Sequence, residues 1–131
     1  MAMPPELIAL ALVALEHVAL VGWSQALLTK DVGPDGNASP RDDLPPLSQR
    51  TSRLRRALAN HTENFPLFIG AVVVVLLSGN ANGFSAACAF LYVAARALYI
   101  PAYAYGWAPW RSLIYTVGFI STIAMYLAAF I

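Results

Sequence analysis

The chain has 131 residues, of which 59% are hydrophobic and 11% charged, and its mean hydropathy is +0.61. So little polar surface cannot cover a water-soluble sphere of this size, which excludes an ordinary soluble domain and describes an integral membrane protein. A formal net charge of +1 gives no field for a general polyanion, so nucleic acid is not an expected partner.

Crossing the hydrocarbon layer takes about 20 apolar residues per helix, and four windows meet that need. The first runs from about Leu7 to Leu28, has no Lys or Arg before it, carries Glu6 and Glu16, and lacks a small-residue cleavage site. It reads as a retained span rather than a cleaved signal peptide. Thr29 to Leu47 is filled with Gly, Pro, Asp, Asn and Ser and is expected to be an exposed polar loop. Ser48 is a candidate N-cap for a helix reaching Ser78, whose membrane part covers about 60–78 and whose Pro66 predicts a kink. Gly79-Asn80-Ala81-Asn82-Gly83 is short enough to force an antiparallel hairpin into the third span, 84–105. That span is dense in small residues (Ser85, Ala86, Ala87, Ala89, Ala94, Ala95), a composition that in lipid marks close helix contact. Gly106-Trp107-Ala108-Pro109-Trp110 turns the chain at the interface, and a fourth span occupies 112–131. The expectation is an all-α integral membrane protein, one four-transmembrane-helix bundle over residues 1–131.

Six of the eight basic residues (Lys30, Arg41, Arg50, Arg53, Arg55 and Arg56) fall between the first and second spans, and Arg111 lies between the third and fourth. Both basic connections are expected to face the cytoplasm, with the termini on the opposite side. The arginine cluster also reads as a contact to anionic lipid. The single Cys88 sits in an apolar helix and reads as core packing. No His, Cys or carboxylate set falls at metal-ligand spacing, so no metal is expected. The sequons Asn37-Ala38-Ser39 and Asn60-His61-Thr62 are incidental on the expected cytoplasmic side.

Arg96 stands near the middle of an apolar run, where a permanent charge is costly and marks function by default. Its compensating acid should come from another helix, with Glu63 and Glu16 as the candidates. Tyr99 and Tyr103 share its helix face. On the second helix, Arg53, Arg56, Asn60 and Glu63 form one polar stripe that either pairs internally or offers donors and an acceptor to a zwitterionic ligand. Arg111, Ser112 and Tyr115 add a third stripe at the same end. A pocket for an anionic small molecule explains the three together, because bundle packing has no need of several arginines at that depth. Glu16-His17 reads as a structural partner of Arg96 or as a proton site.

The order Arg56-x3-Asn60-x2-Glu63-x2-Pro66, then Arg96-x2-Tyr99-x3-Tyr103, then Arg111-Ser112 resembles the MAPEG family, the membrane-associated proteins in eicosanoid and glutathione metabolism. The likeness covers the whole chain, including the long basic first loop. It implies a homotrimer with glutathione as co-substrate between subunits, acting in detoxification as a transferase or peroxidase on hydrophobic small molecules dissolved in the bilayer. By this resemblance Arg56, Asn60, Glu63, Arg96, Tyr99 and Tyr103 would hold glutathione, with Arg53 and Tyr115 expected beside them from the polar stripes they share, while Arg111 and Ser112 would stabilise its thiolate. The chain departs from some glutathione-conjugating members in having Asn64 where they have Tyr, and Lys30 corresponds only loosely to their basic residue at the end of helix one. Two other readings compete: a non-catalytic membrane scaffold or lipid-binding subunit, and a small proton-coupled antiporter using Glu16.

Overall fold

A computed structural model describes residues 2–131 as four helices: α1 (Pro5–Ala38), α2 (Gln49–Leu77), α3 (Gly83–Ala104) and α4 (Trp110–Ala128). Each is long and apolar enough to cross a membrane. With 29 residues, α2 is about 44 Å long at 1.5 Å per residue. The hydrocarbon layer is roughly 30 Å thick, so its first turns lie outside. Outward positions carry Leu15, Val18, Leu77, Leu98 and Ile120, all exposed, as expected where the solvent is lipid.

The chain differs from the sequence expectation after the first span. Residues 29–38, expected as loop, are largely helical: α1 continues to Val32, breaks at Gly33 (φ 77°, ψ 166°) and resumes at Pro34. Gly33 takes the positive φ at no steric cost, and Pro34 presets the φ of a helical first turn. Asp31 then accepts a hydrogen bond from the Ser48 backbone N–H at 2.8 Å, tying the end of α1 to the start of α2. Ser48 is the N-cap of α2, its side chain accepting from the Thr51 N–H. The helix runs without a break through Pro66. In the hairpin, Gly79 takes φ 76°, and Asn82 with Ser85 closes a reciprocal capping box at the start of α3. α4 begins at Trp110, two residues before its expected start.

α2 and α3 form the centre, since α1 and α4 both pack on them and not on each other among the described residues. The main core joins Ala9 and Val13 of α1, Phe68, Ala71, Val72 and Val75 of α2, Cys88, Ala89 and Tyr92 of α3, and Met125 of α4. Phe68 stacks on Tyr92 at 4.0 Å between centroids. Small residues set the α3–α4 spacing: a Cβ at Gly118 would lie 3.3 Å from that of Ala95. A second cluster of Leu20, Leu54 and Ala104 sits toward the end of the bundle that carries the basic loop.

Candidate functional site

Arg96 is 2% exposed, and among the described residues its guanidinium has no carboxylate hydrogen-bond partner. Neither expected acid takes that role: Glu63 is exposed, and Glu16 lies within electrostatic reach but leaves its own Oε2 buried and unbonded. Instead Arg96 Nε donates to His61 Nδ1 at 3.2 Å and Nη1 to Asn60 Oδ1 at 3.1 Å, while its charge sits 4.3 Å from the Tyr99 ring centroid. An Nδ1 that accepts leaves the proton of a neutral imidazole on Nε2, so His61 is a dipole and not a counter-charge. The His61 ring in turn lies 4.9 Å from that of His17, which places the Glu16-His17 pair beside this node. Polar groups disperse the charge of Arg96 without cancelling it.

Asn60 and Tyr99 carry this node into a cavity of about 240 Å³, whose other walls are Arg111, Ser112, Tyr115 and Thr116. The first turns of α4 supply Arg111, Ser112 and Tyr115 on one helix face. Arg111 stacks over the Tyr103 ring at 4.6 Å, and Arg56 Nε donates to the Tyr103 hydroxyl at 3.2 Å. Tyr99 is packed edge-on to Tyr103 at 5.7 Å and tilted against Tyr115 at 6.1 Å. Arg56, Arg96 and Arg111, from three helices, thus meet around three tyrosines, and the cation–π contacts hold the guanidinium groups in place.

Of the residues expected to form one site, Asn60, Tyr99, Arg111, Ser112 and Tyr115 line this cavity, and Arg56, Arg96 and Tyr103 support it. Glu63 lies one turn along α2, exposed on the outer surface. Arg53 is placed in a different cavity, with Lys30, Arg50 and Tyr105, because about 10 Å of helical rise separates it from Asn60. Three positions were not anticipated. Thr116 completes the wall and donates its hydroxyl to Ser112 O at 2.8 Å, a signal available from its place four residues after Ser112. His61 is the partner of Arg96. Asn64, 6% exposed, accepts from the Tyr92 hydroxyl at 2.6 Å and donates to that of Tyr115 at 3.5 Å, linking the cavity wall to the core. No group of three or more His, Cys, Asp or Glu that could hold a metal occurs among the described residues.

A four-helix, multi-pass integral membrane protein with an arginine- and tyrosine-lined cavity near one end of its bundle is the class that fold and site define. A family model, the MAPEG family, matches residues 6–131, and the chain belongs to that family. No curated protein and no solved structure matches it.

Proposed function

We propose that this protein is a membrane-bound, glutathione-dependent transferase or peroxidase acting on lipophilic electrophiles. The carrying observation is that Arg111 lines one cavity with Ser112 while Arg96 stands behind its Asn60 and Tyr99 wall, neither guanidinium having a carboxylate partner among the described residues. The carboxylates of glutathione supply the missing negative charge, and its ammonium group finds an acceptor in Glu63. Arg56, Asn60, Arg96, Tyr99, Tyr103 and Tyr115 hold the peptide in this reading, and Arg53 belongs to the neighbouring cavity. A cavity of 240 Å³ falls below the roughly 300–1,000 Å³ of ordinary ligand pockets, which supports a homotrimer in which a second subunit closes the site. The basic connections face the cytoplasm.

The chemistry follows from charge. Arg111 and the Ser112 hydroxyl favour the charged form of the glutathione thiol, and its proton leaves to solvent. In the transferase reaction the thiolate attacks an electrophilic carbon, a C–S bond forms, and the displaced electron pair leaves with the leaving group or takes up a proton. In the peroxidase reaction it attacks the O–O bond of a hydroperoxide, releasing an alcohol, and a second glutathione then reduces the sulfenate to water and disulfide. Calorimetry with glutathione in two detergents and in nanodiscs, followed by thiolate absorbance near neutral pH, tests the reading. Binding and absorbance are expected for wild type, with absorbance lost and binding kept in Arg111→Ala. Absence of binding in all three environments rejects it.

A further inference from the structure

A second cavity, of about 510 Å³, opens at the rim where the apolar spans end. Its walls are the last turns of α1 before its Gly33 break (Leu27, Lys30, Asp31), the first turns of α2 (Arg50, Arg53) and Tyr105 just after α3. It shares no lining residue with the first cavity. Three cations face one acid, and Asp31 already commits a carboxylate oxygen to the Ser48 N–H.

One of the cations is held by an aromatic ring and a second packs against backbone. Arg50 stacks over the Tyr105 ring at 5.0 Å. Arg53 lies against Gly106, where an added Cβ would meet its guanidinium at 3.0–3.1 Å, so a side chain there would press the guanidinium aside. Gly106 also takes φ 67°, which disfavours any side chain at that position. The floor is apolar, with Leu27 above the buried Leu20, Leu54 and Ala104 cluster. Lys30 follows the first apolar span by two residues, and Tyr105, Trp107 and Trp110 mark the same level as interfacial. A preorganised cationic cup, open at headgroup depth over an apolar floor, matches a ligand that is anionic at one end and apolar at the other.

We propose that this cavity binds the phosphate of an anionic phospholipid headgroup, with Lys30, Arg50 and Arg53 as its cationic ligands. The site shares no lining residue with the cavity proposed to hold glutathione. The full chain is reconstituted in nanodiscs of phosphatidylcholine containing a minority of phosphatidylglycerol, then released for native mass spectrometry of the lipids it retains. Wild type is expected to retain phosphatidylglycerol in excess of its share. Arg50→Gln with Arg53→Gln should lower that excess by about fivefold per arginine. Arg41→Gln with Arg55→Gln, an equal loss of charge outside the cavity, should keep it. Equal retention of the two lipids by wild type overturns the proposal and needs no variant. So does a loss in Arg41→Gln with Arg55→Gln as large as that in Arg50→Gln with Arg53→Gln. Calorimetric binding of inorganic phosphate in pure phosphatidylcholine nanodiscs, without lipid selectivity in the mixed ones, overturns the lipid as the source of the phosphate.

Discussion

Replacing Arg96 by Met separates what this residue costs the fold from what it gives the site. The substitution removes a guanidinium whose insertion at a helix centre costs roughly 2.5–3.5 kcal/mol, and Met fills much of the same volume. It also strips the donor from His61 Nδ1, which is fully buried, at about 1–3 kcal/mol, whereas Asn60 is only partly buried and can turn to water. These terms offset to within about 2 kcal/mol, so the melting temperature should move by no more than about 10 °C. Glutathione affinity should behave differently. A hydrogen bond to a charged group contributes about 1.5–3 kcal/mol, so losing the Asn60 anchor and the cation behind it should raise Kd by about 10- to 150-fold. Calorimetry and thermal melting on the same detergent preparation read both quantities. A well-folded Arg96→Met protein that binds glutathione within about twofold of wild type would refute the reasoning, because Arg96 would then be balanced inside the protomer.

Arg111→Ala should move the glutathione thiol to a higher pKa by about 1–2 units. Because the thiolate fraction rises with pH, the rate-against-pH curve should shift to higher pH with its plateau reached later; an unshifted curve removes Arg111 from thiolate stabilisation. Gly118→Leu puts a branched side chain where even a Cβ lies 3.3 Å from Ala95, and should destabilise the α3–α4 contact by about 1–3 kcal/mol, read as an earlier thermal transition. Asn82→Ala removes the side chain that accepts from the Phe84 and Ser85 N–H groups, at about 1 kcal/mol, and should speed hydrogen exchange in the first turn of α3.

The spans were legible because hydropathy is summed over many residues, and the cap at Ser48 because its signal is local. Residues 29–38 misled for a local reason as well. Gly33-Pro34 reads as a loop, but one glycine at positive φ is enough to interrupt a helix that then resumes. The partner of Arg96 was hidden for a tertiary reason: opposite charge is the obvious match for a guanidinium, yet His61 and Asn60, adjacent on α2, disperse the charge as dipoles. Arg53 shows the limit of helical periodicity. Positions 53, 56, 60 and 63 do share a face, but periodicity fixes direction and not depth, and the stripe is long enough to serve two cavities.

That division by depth also accounts for the shape of the first cavity. Asn60 and Tyr99 are held from behind by Arg96, and Arg111 is held from the side by the Tyr103 ring, so the inner wall is fixed within one protomer. The outer wall is not: Glu63 and Arg56 are exposed on the surface of α2, and Ser112 and Thr116 are exposed on α4. Those of them that reach into the hydrocarbon layer, such as Glu63 and Thr116, cost free energy unless something polar covers them. A neighbouring subunit would cover them and enlarge the cavity at once, which gives assembly and ligand binding a shared driving force. Glutathione should therefore stabilise the oligomer by mass action, by about 2.7 kcal/mol at a free concentration a hundredfold above its Kd. Crosslinking across a dilution series with and without glutathione measures this, and an oligomer distribution indifferent to saturating ligand would place the whole site within one protomer.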